Sequence, residues 1–460
     1  RRPAAPPRRG QSNVRAALAW LGRPLPIVVV ALLLRAAAAW LLPLPADLAL
    51  RTDSGLTALN VVSGQGYTHD FYGWRASAPL QAYMPPLHVA WVALSLLLPD
   101  PRLAHSVQQV AAGTLAVWLV YRLAGELGGP LTAGLAGWAM ALYPPYIILT
   151  AIPESVVLLV ACLAALLFLA WRLWEKPSSG RALAAGLALG LLALGRPQAL
   201  LWLPALLLWP ALKRPVPARL LPSAAACCLA VGLVVVPWCV RNSLVLGSPA
   251  FLATNGGRTC WLGNNPFTTG SGGDVYAGRL AAYLGNSLDP SSPAILEFPA
   301  DYPLPHGLEE QLVELSEQGL ERAFYRAALD YARAEPAEWL ALEARKLLSF
   351  WWFRPNLGAN PRYQDEWTVA YRLVYAAVAL GALAGLVLSL SNDGWRRWAL
   401  IYAVLGIETL VSLGFHVLTR FRWEIEFILL ILASSFLAWA CRKAVLRMEP
   451  TNPLGLSGGV

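Results

Sequence analysis

Charged residues are scarce in this chain. Asp, Glu, Lys and Arg make up only 14% of its 460 residues, whereas 57% are hydrophobic. A water-soluble core of this size could not hide so much apolar surface, so a soluble globular protein is excluded and lipid must act as the solvent. The hydrophobic residues also come in blocks of roughly 20, the length of helix that crosses a hydrocarbon layer of about 30 Å. The sequence therefore predicts an all-α polytopic membrane protein.

Several other features are missing. The six cysteines and five histidines show no metal-ligand spacing, so none of them is assigned as a ligand. Lys and Arg exceed Asp and Glu by 36 to 27, but no basic stripe is interleaved with aromatic residues, so no nucleic-acid partner is expected. The absence of an internal repeat argues against an inverted-repeat transporter. Cys239 and Cys260 could pair in an oxidising compartment or remain thiols, and the sequence leaves both open.

About ten apolar segments are predicted to span the membrane. They are 25–44, 105–126, 131–150, 155–172, 182–195, 197–212, 220–239, 367–390, 398–418 and 426–441. With the Arg-rich leader placed in the cytoplasm, both termini lie inside. The short segments that are then predicted to lie inside carry most of the Lys and Arg residues of the short loops, as the positive-inside rule requires.

The same pattern predicts four parts of the chain. These are an N-terminal transmembrane module with a catalytic outer loop, an extracytoplasmic segment, the C-terminal transmembrane helices and a cytoplasmic tail, at 1–240 (loop 45–104), 241–366, 367–447 and 448–460. The apolar stretch Pro86–Leu98 is too short to span, which predicts an interfacial helix on the outer face. Helical patterning at 308–334 and 336–352 predicts that the extracytoplasmic segment is mostly helical.

Two acidic residues stand at the predicted outer membrane face. Asp53 follows the first span, where its carboxylate could deprotonate an acceptor hydroxyl or coordinate a cation, or could simply cap a helix. Glu154 occupies a tight outer turn and could share a site with Asp53 as base, orienter or metal ligand. Its alternative role is to complement the dipole of the helix that follows.

Arginines at the same face are candidate anion ligands. Arg196, in Gly195-Arg196-Pro197, could hold a phosphate with its planar fork or could reach lipid headgroups. Arg420 and Arg422 belong to a segment of alternating Arg and Glu, which is costly at a lipid interface unless it lines a polar cleft or forms a headgroup belt with Trp423. Two further charges, Arg35 and Glu408, fall within predicted spans at similar depths, and we predict that they form a structural ion pair.

Taken in order, a series of short motifs carries a family resemblance. The series is Asp53, Gly64-Gln65-Gly66-Tyr67, Met84-Pro85-Pro86-Leu87, Tyr143-Pro144-Pro145-Tyr146, Glu154, Gly195-Arg196-Pro197, Pro237-Trp238-Cys239-Val240-Arg241-Asn242, Thr254-Asn255-Gly256-Gly257, Trp261-Leu262-Gly263-Asn264-Asn265-Pro266 and Arg420-Phe421-Arg422. It resembles the GT-C superfamily of membrane glycosyltransferases, in particular the bacterial family 39 branch of protein O-mannosyltransferases and aminoarabinose transferases. Two departures are Thr57, where relatives often have tyrosine, and Glu424 and Phe427, where prolines are common.

The resemblance implies an enzyme that moves a sugar, with inversion, from a polyprenyl-phosphate donor to a hydroxyl of a lipid, glycan or protein acceptor. It implies a multi-pass protein of the bacterial plasma (inner) membrane with its active site on the extracytoplasmic face. Asp53 would be the base, Glu154 an orienter, and Arg196, Arg420 and Arg422 the ligands of the donor phosphate. A divalent cation, Mg or Mn, could assist, although no cofactor is certain. Two alternatives are a flippase or transporter of a lipid-linked saccharide without chemistry, and a structural subunit with a degenerate site.

Overall fold

The computed structural model describes residues 22–42, 44, 52–69, 79–213, 215–216, 219–266, 268, 270, 314–352, 365–391 and 394–448. Within these ranges the regular elements are helices, apart from an isolated antiparallel bridge between His69 and Leu80. Parts of the predicted outer loop (45–51 and 70–78), of the extracytoplasmic segment (271–313 and 353–364) and of the tail (449–460) lie outside the described residues.

The described residues up to Ala193 contain eight α-helices. They are α1 Pro24–Leu41, α2 Asp53–Val62, α3 Pro86–Leu96, α4 Pro101–Gly128, α5 Pro130–Leu142, α6 Pro144–Ile148, α7 Val156–Glu175 and α8 Ser179–Ala193. Five of them begin with proline, which fits this position because its fixed φ suits the first turn and its missing N–H is not needed there. Asp100 caps α4 by accepting hydrogen bonds from the N–H groups of Arg102 and Leu103.

The described residues after Ala193 also form helices. Short 3₁₀ turns, Pro197–Trp202 and Trp209–Leu212, flank α9 Leu203–Leu208, and the following helices are α10 Leu220–Leu246, α11 Gly256–Gly263, α12 Glu317–Ala334, α13 Pro336–Trp351, α14 Asp365–Leu390, α15 Trp395–Gly414, α16 Thr419–Trp423 and α17 Glu426–Met448. Helix α12 begins later than the predicted 308, because Ser316 caps it by accepting a hydrogen bond from Gly319 N–H. Cys239 and Cys260 are free cysteines.

Seven of the described helices, namely α1, α4, α7, α10, α14, α15 and α17, are long and apolar enough to cross a membrane. The prediction of a polytopic all-α membrane protein is confirmed. The other three predicted spans coincide with shorter apolar helices, Pro130–Leu142, Ser179–Ala193 and Pro197–Leu212. The predicted span 131–150 is interrupted after Leu142, where Pro144 and Pro145 supply no N–H to continue α5. The fourth short apolar helix, α3, coincides with the stretch Pro86–Leu98 that the sequence predicts to be an interfacial helix.

Close helix contacts build the bundle. Helix α7 packs between α4 and α8, α8 packs on α10, and α14 packs on α17. Small residues make these contacts possible: a Cβ added at Gly186 would lie 2.4 Å from the carbonyl oxygen of Cys227, and one at Gly385 would lie 2.0 Å from that of Leu432. Any larger side chain at either glycine would force the helices apart.

The predicted ion pair between Arg35 and Glu408 is wrong. Arg35 is fully buried and donates to the carbonyl oxygens of Ala31, Met140 and Ala141 at 3.2–3.4 Å. Two of these carbonyls lie in the last turn of α5, where intrahelical donors run out, so they are open to a cation. Glu408 instead interacts electrostatically with Arg196 and Glu424.

A helical cap, which we define as α11, α12 and α13, covers one end of the bundle. Its link to the bundle is Glu317, whose buried carboxylate accepts hydrogen bonds from the backbone N–H groups of Gln81 and Ala82 and from the Thr254 hydroxyl. A second link is Lys346, fully buried in α13, which donates to Asn264 Oδ1 at 3.0 Å and to the carbonyl oxygens of Leu413 and Phe415. Charged side chains thus tie the cap to the loop before α3 and to the end of α15.

Candidate active site

Four charged side chains from distant parts of the chain form two adjacent ion pairs. Arg196 Nε donates to Glu424 Oε2 at 3.0 Å, and its Nη2 donates to Glu424 Oε1, which makes the pair bidentate. Arg420 Nη1 lies 3.1 Å from Glu154 Oε1. Glu424 also interacts electrostatically with Arg420 and Glu154, so the two pairs form one cluster. We call these four residues the Arg–Glu cluster.

The two guanidinium groups of the cluster both contact one aromatic ring, that of Phe421. The Arg196 and Arg420 Cζ atoms lie 4.9 and 5.4 Å from the centroid of the Phe421 ring. His416 packs edge-on against the same ring, and its Nδ1–H points to the Thr259 carbonyl oxygen at 3.4 Å. Burial and the nearby Arg420 lower the pKa of His416 to about 3, so its imidazole is neutral at physiological pH. The positive charge of this region therefore comes from arginine.

Local structure explains how each member reaches the cluster. Arg196 follows α8 and precedes Pro197, which ends the helical hydrogen bonding and turns the chain; Leu87 N–H holds this turn by donating to Leu194 O at 2.9 Å. The Glu154 turn is held by Gln109 Nε2, which donates to the carbonyl oxygens of Ile152 and Glu154 at 3.0 and 3.2 Å. The site is thus built on fixed backbone.

Arg420 and Arg422 lie only two residues apart but have different surroundings. Arg420 is 41% exposed, and its buried Nε has no hydrogen-bond partner within the described part of the chain. Arg422 is fully buried and donates four hydrogen bonds, to the Glu426 carboxylate, the Tyr371 hydroxyl and two backbone carbonyls, those of Phe350 and Trp352. Glu426, also fully buried, accepts further bonds from Tyr143 and Tyr371 at 2.7 and 2.6 Å.

This difference predicts that substitution lowers the thermal stability much more at Arg422 than at Arg420. Arg422→Gln leaves the Glu426 carboxylate buried without its cationic partner, and breaking a buried ion pair in this way typically costs about 3–5 kcal/mol. We expect a marked fall in the apparent Tm of the detergent-purified protein, whereas Arg420→Gln should stay within a few degrees of wild type because Arg420 is partly exposed. An Arg422→Gln protein with an unchanged Tm would contradict the structural role.

Asp53 is the first residue of α2, after the N-cap Thr52, whose hydroxyl accepts a hydrogen bond from Gly55 N–H. The backbone carbonyl of Asp53 accepts a bond from the Thr57 hydroxyl at 3.0 Å, and that hydroxyl also lies 3.3 Å from His69 Nδ1. Thr57, the position where relatives often have tyrosine, is fully buried. Its small side chain thus joins the start of α2 to the following loop.

A chain of contacts connects the Asp53 helix to the Arg–Glu cluster. The His69 ring stacks on Tyr83 at 4.7 Å between centroids, and Arg258 Nη1 donates to the Tyr83 hydroxyl at 2.9 Å. Arg258 and both cluster arginines interact electrostatically with His416. In addition, α2 packs on α3, whose first turn is bonded to the Arg196 turn. Helix α2 is therefore linked to the elements that carry the Arg–Glu cluster through α3 and through His69 and Tyr83.

Sequence reasoning missed three residues that support this region. Gln109 and Tyr371 were overlooked because each is an uncharged residue within a predicted span, and Arg258 because it lies in the predicted extracytoplasmic segment, where charged residues are expected. The buried amide of Gln109 carried a usable signal, since an uncharged polar side chain inside a span must find a hydrogen-bond partner.

Among the described residues no group of three or more His, Cys, Asp or Glu side chains is placed to hold a metal ion.

One carboxyl of the cap titrates near neutrality. Burial, with a smaller contribution from Glu317, raises the pKa of Glu321 to about 7. Glu321 lies where α12 meets α11 without a gap: a Cβ added at Gly257 would be 2.1 Å from the Glu321 carbonyl oxygen. The folded protein holds this proton up to about pH 7, whereas an exposed glutamate has a pKa near 4.5. The contribution of this bound proton to the free energy of unfolding is therefore complete below pH 4.5 and is lost as the pH rises through about 7.

Glu321→Gln should therefore raise the Tm at pH 8 and leave it nearly unchanged at pH 5, which flattens the dependence of Tm on pH. Thermal unfolding of both proteins across this range measures the effect. Glu338→Gln, a change of an exposed glutamate on α13, serves as the control and should follow the wild-type curve. Parallel curves for wild type and Glu321→Gln would contradict the assignment.

Comparisons with known proteins bear on this region directly. Residues 84–240 match the family model described as dolichyl-phosphate-mannose-protein mannosyltransferase. These residues make up about a third of the chain, and over them the predicted resemblance to protein O-mannosyltransferases is confirmed. The match to this family model covers Glu154, Arg196 and the supporting Gln109, whereas Asp53 and Arg420 lie outside it. Among curated proteins no sequence matches the chain.

Two solved structures share the fold. The Archaeoglobus fulgidus oligosaccharyltransferase tethered with an acceptor peptide is 15% identical, with a TM-score of 0.52 over 94% of this chain and 51% of that chain. AglB from Archaeoglobus fulgidus, in complex with an inhibitory peptide and a dolichol-phosphate, is 14% identical, with a TM-score of 0.50 over 95% and 52%. ArnT from Cupriavidus metallidurans bound to undecaprenyl phosphate aligns over 94% and 81% at 14% identity and a TM-score of 0.42. The chain spans about half the length of the archaeal proteins, and at this identity the likeness shows the fold.

Proposed function

We propose that this protein is a membrane glycosyltransferase that moves a sugar from a polyprenyl-phosphate donor to an acceptor hydroxyl. The observation that carries the proposal is the Arg–Glu cluster, in which residues 228 and 266 positions apart in sequence meet at one end of the bundle. Buried or half-buried arginines at a membrane surface, held by carboxylates and a ring, are suited to bind a phosphate that is anchored in lipid. The description of the matched family names dolichyl-phosphate-mannose, which belongs to this class of donor.

Within the cluster we assign the donor phosphate first to Arg420. Its side chain is the more exposed of the two, at 41% against 22% for Arg196, and its buried Nε has no hydrogen-bond partner among the described residues. Arg196, fixed by Glu424, adds a second positive charge beside the Phe421 ring. Arg422 serves to position α16, since its donors are engaged by buried protein groups. A phosphate bound here would have its leaving charge stabilised by prearranged donors.

The chemical step needs one base. The Asp53 carboxylate accepts the proton of the acceptor hydroxyl while the hydroxyl oxygen forms a bond to the anomeric carbon, and the bond from that carbon to the phosphate oxygen breaks on the opposite face. The products are the glycoside, with inverted configuration, and polyprenyl phosphate. We assign Glu154 to orient both the acceptor and the Arg420 side chain. The position of Asp53 at the start of α2, in the region joined to the cluster through His69 and Tyr83, supports this assignment.

We place the reaction on the extracytoplasmic face of the bacterial plasma membrane. The support is the distribution of Lys and Arg, which puts the opposite ends of the spans inside. A cation at Asp53 would be an alternative source of positive charge for the leaving phosphate. If the arginines alone stabilise the leaving phosphate, excess EDTA should leave the rate of transfer unchanged. A loss of transfer that Mg or Mn restores would instead assign the stabilisation of this phosphate to a cation.

A reconstituted assay tests the function. Purified protein in liposomes receives a polyprenyl-phosphate sugar labelled in the sugar, with a membrane extract as acceptor source. We expect label to appear in acceptor with release of an equal amount of polyprenyl phosphate. If label crosses to the other leaflet while the donor stays intact, the protein is a flippase and the enzymatic proposal fails.

A further inference from the structure

We propose that a cleft at the end of the bundle opposite Glu154 binds the phosphate headgroup of an anionic phospholipid. The cleft lies between α4, α7 and α8, and its charged lining is formed by Arg122, Arg172 and Arg181. Its volume is about 380 Å³, and it is open to the surface. The proposal does not depend on the glycosyltransferase assignment, because none of these residues belongs to the Arg–Glu cluster.

Helix geometry places this cleft at the other membrane surface. Gln109 contacts the Glu154 turn, and Arg122 follows it by 13 residues in the same helix, which is about 20 Å at a rise of 1.5 Å per residue. Arg172 lies 17 residues beyond Ser155, the N-cap of α7, or about 25 Å along that helix. The cleft and the Arg–Glu cluster are therefore separated by most of the thickness of the membrane.

Two of the three arginines of the cleft, Arg122 and Arg181, are held in place by contacts, and all three lack acidic partners. The Arg122 Cζ lies 5.3 and 5.2 Å from the ring centroids of Trp118 and Phe168. Arg181 Nη1 donates to the carbonyl oxygens of Arg172 and Lys176 at 2.7 and 3.3 Å. Among the described residues no carboxylate lies within 4.0 Å of the three guanidinium groups. Three positive charges that converge on one opening without compensation favour a bound anion.

Apolar surface beside the cleft favours a lipid over a soluble anion. Ala184 lines the cleft, and Leu187 and Leu191 follow it at intervals of three and four residues, which places all three on one face of α8. Both leucines are exposed, at 47% and 44%. Acyl chains could therefore run along this face while the phosphate sits among the arginines, as basic pockets between membrane helices bind anionic headgroups.

Native mass spectrometry of the purified full chain tests the proposal. The probes are dioleoylphosphatidylglycerol, dioleoylphosphatidylcholine and inorganic phosphate. Wild type should retain phosphatidylglycerol in preference to phosphatidylcholine, and the triple variant Arg122→Gln/Arg172→Gln/Arg181→Gln should bind it at least about tenfold more weakly, since one basic residue near a membrane surface is worth roughly a factor of five. The single variant Arg122→Gln, which leaves the Arg181 hydrogen bonds intact, should show an intermediate loss even if the triple variant folds poorly.

The matched control removes three other arginines that are predicted to lie at the same surface, in Arg396→Gln/Arg397→Gln/Arg442→Gln. This control should bind phosphatidylglycerol like wild type. An equal loss in the control would show a diffuse attraction and overturn the proposal, as would unchanged binding by Arg122→Gln. Inorganic phosphate that binds the cleft and displaces phosphatidylglycerol at low millimolar concentration would assign the cleft to a soluble anion and overturn the lipid assignment.

Discussion

Asp53→Asn is expected to abolish sugar transfer while the protein still folds and binds its donor. An asparagine keeps the shape of the side chain but cannot accept the proton of the attacking hydroxyl, and a positioned general base typically contributes about 10²–10⁴-fold to the rate. The hydrogen bonds that hold the start of α2 use the Thr52 hydroxyl and the Asp53 backbone carbonyl, so the substitution leaves them in place. The rate of label transfer in the reconstituted assay measures the loss.

Asp330→Asn is the matched control, because Asp330 is an exposed carboxylate of α12 whose ion pair with Arg333 is also exposed. It should transfer sugar at the wild-type rate. If Asp53→Asn retains more than about a tenth of the wild-type rate at saturating donor, Asp53 is not the base, since such a small loss lies below the usual range for one.

Arg420→Ala is expected to lower kcat/KM for the donor by about 10²-fold, the usual effect of deleting one prearranged donor that stabilises developing negative charge. The physical reason is that the partly exposed guanidinium leaves the site, while the bidentate pair of Arg196 and Glu424 persists. Part of the effect should appear in KM, because the phosphate is charged in both the ground state and the transition state. Steady-state kinetics at varied donor concentration separates the two parts.

Arg333→Ala, which removes an exposed arginine of α12, is the control and should leave both kinetic parameters unchanged. Glu154→Gln gives a second comparison: it frees Arg420 without removing it, so transfer should fall less than in Arg420→Ala. Equal kinetics for wild type and Arg420→Ala would contradict the assignment of Arg420 to the phosphate.

The membrane helices could be predicted well because their main signal is local. A run of about 20 apolar residues is sufficient to identify a span, and most long predicted spans coincide with observed helices. The errors in the predicted spans lie in segments that contain prolines. The segment 197–212 reads as one apolar run, but Pro197, Pro204 and Pro210 divide it into a short α-helix between 3₁₀ turns. Hydrophobicity alone does not register this division.

The site could be predicted in part because charged residues are conspicuous in apolar sequence. Glu154, Arg196 and Arg420 were selected in this way, and the structure brings all three together. Their partners could not be deduced, because pairing depends on how the helices pack. Arg422 has the same sequence signal as Arg420, yet it contacts Glu426 and Tyr371 in the interior. Likewise, the partner of Arg35 is the open end of α5, which is visible only once Leu142 is known to end that helix.

Direct binding of polyprenyl phosphate to the purified protein tests the central claim, that the Arg–Glu cluster holds a lipid-linked phosphate and Asp53 acts only in the chemistry. We predict that wild type and Asp53→Asn bind this product with equal affinity, and that Arg420→Ala binds it about tenfold more weakly, the equivalent of one lost charged hydrogen bond of about 1.4 kcal/mol. Equal binding by all three proteins, or weaker binding by Asp53→Asn alone, would contradict the account.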